Sequence, residues 1–185
     1  MTRQDHVSAV ASSAETLQAD DNKATEGGLY SAAERQRRDE SVWTVVQGVL
    51  APLQFLVFTA SLVLVIRYLM TGEGAFAADS SIVLKTLVLY TIMITGSIWE
   101  KVVFGKWLFA PAFFWEDVFS MLVLALHTLY LAMLFGGFGT TDQRMIVALA
   151  AYAAYVINAV QFILKLRAAR LQMAQQPMQS AAVAA

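Results

Sequence analysis

The chain has 185 residues, 58% of them hydrophobic and 15% charged, with a mean hydropathy of +0.56; apolar residues this abundant, gathered in long runs, exclude an ordinary soluble domain. It has no cysteine, which excludes disulfides, thiolate metal sites and iron–sulfur clusters, and leaves two histidines as the only imidazoles. The net charge of −1 hides an uneven distribution, and no nucleic-acid partner is expected.

Residues 1–40 are rich in Ala, Ser, Asp, Glu and Gln and poor in large apolar groups. They predict a largely disordered cytoplasmic tail, because they cannot bury enough surface to offset ordering entropy. Residues 31–40, with Glu34, Arg35, Arg37, Arg38 and Asp39, have the local propensity for a short charged helix leading to the membrane. Residues 1–10 lack the apolar core of a cleaved signal.

Apolar runs at 42–70, 82–104, 112–135 and 145–166 each supply the roughly 20 residues that span a bilayer. The expected fold is an all-α integral membrane protein, a bundle of four transmembrane helices within a 41–171 domain. Residues 172–185 are expected to be a flexible tail. Loops are expected at 71–81, with Glu73 and Asp79, and at 136–143, with Asp142. Arg35, Arg37 and Arg38 precede the first run, Lys101 and Lys106 lie in the middle connection, and Lys165, Arg167 and Arg170 follow the fourth. Positive residues favour the inner side, so both termini are expected in the cytoplasm. Arg67, Lys85 and Arg144, at the opposite helix ends, are expected to snorkel to the headgroups. Pro52 removes an amide inside the first run and suggests a kink, whereas Pro111 suits the first turn of the third helix.

The third run carries Glu116, Asp117 and His127, ionisable groups that are expensive in hydrocarbon and therefore mark function. Glu116, Ser120, His127 and Tyr130 share one helical stripe, which should face a pocket or other helices. The bland alternative for the two acids is a dipole-favoured first turn reaching headgroup water. For His127 it is an interhelical hydrogen bond. Glu100 and Lys101 end the second run, where an interfacial ion pair beside Trp99 is the simplest expectation. Tyr155, Asn158 and Gln161, spaced by three, share a face of the fourth helix. The aromatics around the middle connection, among them Trp107, Phe114 and Trp115, suit either a flat conjugated ligand or an interfacial belt. Physical chemistry alone thus yields a four-helix membrane protein with an acid-and-imidazole pocket opening toward the cytoplasm.

The stretches TVVQGVLAPLQFLVF (44–58), GSIWEKVVFGKWLFAPAFFWEDVFSMLVLALHTLYL (96–131) and AAYAAYVINAVQFILKLRAARL (150–171) resemble the 3-vinyl bacteriochlorophyllide hydratase family. The resemblance covers about residues 40–171 and implies a carbon–oxygen lyase (hydro-lyase) of bacteriochlorophyll biosynthesis. Such an enzyme adds water across the C3 vinyl group of chlorophyllide a, or of its bacteriochlorin relative, to give the 1-hydroxyethyl pigment. It implies no cofactor, the magnesium being carried by the substrate, and a multi-pass location in the bacterial inner membrane, cytoplasmic or intracytoplasmic and photosynthetic. The implied partners are the pigment, water, the lipid bilayer and neighbouring pigment-biosynthesis enzymes. A homodimer is a reasonable arrangement, since four helices enclose a pigment only partly. The competing expectation is a non-catalytic chlorin-binding or pigment-assembly protein.

Hydration of a vinyl group on a conjugated ring begins with protonation of its terminal carbon, which leaves a cation spread over the macrocycle; water then adds at the ring-attached carbon. That chemistry requires a proton donor, an acceptor that orients water, and negative charge nearby. Glu116, among aromatics, is expected to be the acid, with Asp117 or Glu100 as the base. His127 is expected either to ligate the substrate's magnesium or to belong to the proton path. Tyr130, Trp115, Phe114, Asn158 and Gln161, with His127, are the expected pigment contacts.

Overall fold

The computed structural model describes residues 29–183, all its regular elements being helices. Helix α1 spans Ala32–Glu40, α2 Val42–Thr71, α3 Ala75–Phe104, α4 Phe114–Gly136 and α5 Thr141–Val183. The last four carry apolar windows long enough to cross a membrane.

Each boundary has a local cause. Ser31 caps α1 by accepting a hydrogen bond from the Glu34 amide at 3.3 Å, while the Glu34 carboxylate accepts from the Ser31 amide at 2.8 Å. Ser41 ends α1 and starts α2, accepting from the Trp43 amide. Helix α2 continues through Pro52, whose ring faces outward. Between α2 and α3 the chain reverses in three residues, because Gly72 and Gly74 take φ of 72° and 84°, the left-handed region open to glycine. The 71–81 loop expected from sequence is therefore mostly helix, and Asp79 lies inside α3. Hydropathy misplaced this boundary because Ala75–Ser81 is only weakly apolar, yet nothing in it breaks a helix. Helix α5 likewise starts at Thr141 rather than 145 and continues beyond 166 to Val183, through the segment expected to be a tail. Of the tail expected at 1–40, residues 1–28 lie outside the described residues, and Ala32–Glu40 is the short charged helix α1.

Two helical hairpins build the bundle: α2 packs along α3, and α4 along α5, far more extensively than the hairpins pack on one another through α3–α4 and α2–α5. The core of one end joins Phe58, Val65, Ile82, Tyr130, Met145 and Tyr152, drawn from all four long helices. The arrangement is inside-out with respect to a soluble protein. Val45, Val49, Leu56, Val63, Ile94, Ile146 and Ile163 are exposed, whereas Gln54, Lys85, Glu100, Glu116, Asp117, His127 and Asn158 are buried. An apolar exterior of this kind is stable only where the solvent is lipid, and the polar side chains must then find one another or a ligand inside.

Candidate active site

The 105–113 connection and the helix ends around it bring the acidic residues together. Helix α3 stops at Gly105, and Lys101 caps its C-terminus by donating to the Gly105 carbonyl at 2.9 Å. Lys101 and Glu100 therefore do not pair. Glu100 is buried and accepts a hydrogen bond from the Ala110 amide at 3.2 Å. Trp99 does not simply line an interface either, because its indole N–H donates to the Thr44 hydroxyl at 3.0 Å and ties α3 to α2. Pro111 lies in a turn before α4, not in its first turn, so Glu116 and Asp117 occupy that first turn. Both are nonetheless buried, at 6% and 4% exposure, so the helix dipole favours them without their reaching headgroup water.

Asp117 accepts from the Phe109 amide at 2.7 Å. Phe109 adopts φ 58°, a left-handed conformation uncommon outside glycine, and that twist places two successive amides, of Phe109 and Ala110, on two different carboxylates. The Glu100 and Asp117 carboxyl groups are thereby gathered on successive amides of one connection. Glu116 turns elsewhere: Lys165 on α5 donates to it at 2.6 Å, with the ammonium 5.1 Å from the Phe113 ring centre. One turn further along α4, the Ser120 hydroxyl accepts from the Asn158 side-chain amide at 2.8 Å. Glu116, the acid expected from sequence, is thus the ion-paired carboxylate, while Glu100 and Asp117 share the amides of the connection.

Above this cluster, Tyr30, Phe104, Phe113, Trp99 and Phe162 form one aromatic group, with Tyr30 stacked on Phe104 at 5.6 Å and Phe113 stacked on Phe162 at 5.8 Å. Arg37 of α1 donates to the Val103 carbonyl at 2.9 Å, which pins α1 over the end of α3. Phe114 and Trp115 point outward, at 45% and 66% exposure, and Trp107 is also exposed. These three are surface aromatics rather than part of the interior group.

His127, three turns along α4, is fully buried. Its Nδ1 lies 2.8 Å from the Val123 carbonyl, which makes Nδ1 the protonated nitrogen and leaves the Nε2 lone pair without a partner among the described residues. Tyr152 lies beside it, ring centres 5.9 Å apart, and its hydroxyl is 2.6 Å from that of Ser61. Tyr130, an expected pigment contact, donates to Asp79, which Arg144 approaches at 3.6 Å. Arg144 therefore does not snorkel, and Lys85, wholly buried, does not either; Arg67 alone of the three is exposed. Asn158 Oδ1, Gln161 Oε1, both polar atoms of Gln54 and Lys85 Nζ have no hydrogen-bond partner among the described residues. Each long helix thus contributes at least one unsatisfied polar group to the interior, from Gln54, Lys85, His127 and Asn158.

A family model described as 2-vinyl bacteriochlorophyllide hydratase matches residues 30–168. The chain belongs to that family. Its relatives include the 2-vinyl bacteriochlorophyllide hydratase of Rhodobacter capsulatus, 66% identical over 148 residues that cover 80% of this chain and 86% of the relative. The protein of the same name from Cereibacter sphaeroides is 66% identical over 145 residues, covering 78% and 90% respectively. No solved structure matches the chain. The family match begins at Tyr30, a member of the aromatic group, and so includes α1, three of the long helices and α5 as far as residue 168.

Sequence reasoning missed four features of this interior. Lys165 was visible only as an orienting positive charge, although its spacing of seven from Asn158 places the two on one face of α5. The Phe109 and Ala110 amides carry no side-chain signal at all. Lys85 stood ten residues inside α3, a depth concealed by the misplaced start of that helix.

Proposed function

We infer that this chain is a hydro-lyase that adds water to the vinyl group of a bacteriochlorophyllide precursor, giving the 1-hydroxyethyl pigment in bacteriochlorophyll synthesis. The locants 2 and 3 are two numberings of the same vinyl position, so the family name and the reaction expected from sequence agree. The observation that carries the mechanism is the gathering of Glu100 and Asp117 on two successive backbone amides, inside an apolar bundle. Two carboxyl groups gathered in such a place hold one proton between them, because two bare charges there would repel.

Such a pair can run the whole cycle. It gives its proton to the terminal vinyl carbon, and the resulting cation, spread over the macrocycle, is held by the negative charge left behind. Water adds at the ring-attached carbon and returns a proton to the pair, so the enzyme ends as it began. The sum is pigment plus water, with no change of oxidation state. Glu116, balanced by Lys165, contributes no net charge and positions the start of α4 against α5. His127 presents a neutral Nε2 lone pair to the interior, which suits the axial position of a magnesium ion carried by the pigment. The weak seam between the hairpins is the route by which a flat macrocycle would enter, since the two hairpins pack on one another far less extensively than their own helices do.

The Arg35, Arg37 and Arg38 group, the 105–113 connection and Lys165 with Arg167 lie toward one end of the bundle, and the excess of positive charge there favours that end as cytoplasmic. On this reading the enzyme is a multi-pass protein of the bacterial inner membrane with the carboxyl pair near its cytoplasmic face. Membranes carrying the protein, incubated with chlorophyllide a, should yield a pigment heavier by one water. Tight pigment binding without that product would favour a carrier or assembly role.

A further inference from the structure

Lys85 is a buried basic side chain that the hydration chemistry leaves unused. Its relative exposure is 0%, and it lies ten residues inside α3. The other lysine of the bundle interior, Lys165, is paired with Glu116, and Arg144 is paired with Asp79, whereas Lys85 takes part in no ion pair among the described residues. The groups that face it are His127, whose free atom is the Nε2 lone pair, and the rings of Tyr155 and Tyr152, centred 4.1 Å and 5.8 Å from Nζ. The Tyr152 hydroxyl is engaged with Ser61, and the Thr86 hydroxyl beside Lys85 in sequence is spent on the Ile82 carbonyl. None of these neighbours is an anion. Aromatic faces soften the cost of a buried ammonium but do not replace the hydration it has lost. What complements the site is a carboxylate brought in by a ligand.

A bacteriochlorophyllide is a free acid, bearing a propionate carboxylate on the rim of its ring. We propose that Lys85 recognises that carboxylate and thereby sets which edge of the macrocycle meets the carboxyl pair. The inference rests on the vinyl hydratase reading. The register bears on it: His127, which faces Lys85, lies eleven residues from Glu116 and therefore roughly 16 Å along α4 from the acidic end. That separation is of the order of a tetrapyrrole's breadth with its propionate arm extended. A ring lying along the seam would then reach the acids with one edge and Lys85 with another, with the His127 lone pair at the same depth in the bundle.

The test compares magnesium chlorophyllide a with its propionate methyl ester, using the full-length protein in lipid nanodiscs. Absorbance titration gives affinity, and mass analysis of the product gives hydration. The wild type should bind the free acid at least ~10-fold more tightly than the ester, the loss expected when a charged hydrogen-bonding group is masked. Lys85→Met removes only a buried amino group without a hydrogen-bond partner and keeps the length of the side chain, so the bundle should fold. It should lower affinity for the free acid to that of the ester and leave ester affinity within about twofold of wild type. Lys85→Arg should retain part of the preference. Equal affinity of the wild type for acid and ester would overturn the assignment, as would an undiminished preference in Lys85→Met. If the wild type hydrates both pigments with equal affinity, the hydratase reading survives and the role of Lys85 does not. If it neither binds nor hydrates either pigment, both fall.

Discussion

Replacing Glu100 by Gln and Asp117 by Asn, singly and together, tests whether the two carboxyls work as a unit. The geometry makes the amides unusually clean probes, because the Ala110 and Phe109 amides donate to Glu100 and Asp117 at 3.2 Å and 2.7 Å, and an amide oxygen accepts those bonds as a carboxylate oxygen does. What each substitution removes is one site for the shared proton. General acid–base catalysis contributes about 10²- to 10⁴-fold, so each single variant should lose at least ~100-fold in the rate of hydration, or about 2.7 kcal/mol of transition-state stabilisation. If one proton serves both groups, the double variant should be little worse than the slower single variant; independent groups would multiply to a loss of about 10⁴-fold or more. Single-turnover hydration of chlorophyllide a in nanodiscs, with pigment affinity measured in parallel, separates loss of chemistry from loss of binding. Glu116→Gln, which removes a charge already balanced by Lys165, should cost less than ~10-fold in the same assay. Near-normal rates in both single variants, or a multiplicative loss in the double, would refute the shared-proton mechanism; a loss in Glu116→Gln larger than either would return the acid role to Glu116.

Lys165→Met should destabilise the bundle by about 2 kcal/mol, below the value for a fully buried pair because the Lys165 side chain is 27% exposed. Thermal unfolding in detergent should show most of that loss recovered in the double variant with Glu116→Gln, and a double variant as unstable as Lys165→Met alone would mean that the pair is not the cause. His127→Ala should weaken binding of magnesium chlorins more than of their metal-free counterparts, measured by absorbance titration; equal weakening would assign His127 to packing or proton transfer. Reporter fusions after Arg170 should report the cytoplasm and fusions within 137–140 the opposite side, and the reverse pattern would invert the topology.

The local grammar of the chain was legible without coordinates. Long apolar runs can satisfy their backbone in lipid only as helices, so the four spans follow from composition, and the period of 3.6 residues per turn puts Glu116, Ser120, His127 and Tyr130 on one buried stripe. The glycines at 72 and 74 were visible as punctuation, but hydropathy does not say where a weakly apolar helix such as Ala75–Ser81 begins, and so the depth of Lys85 was misread as a snorkelling position.

Pairing is a property of the fold, not of the sequence. Nothing in the order of residues states that Lys165 meets Glu116 rather than an anionic lipid, that Tyr130 spends its hydroxyl on Asp79, or that a left-handed Phe109 aims two amides at Glu100 and Asp117. Those contacts arise because the connection between α3 and α4 folds back over the acidic helix ends and because α4 and α5 pack as a hairpin. One-dimensional periodicity determined which residues turn inward; three-dimensional packing decided which of them are satisfied by each other and which, like Lys85 and His127, are left for a ligand, since in hydrocarbon a polar group's behaviour is set by its neighbours across helices.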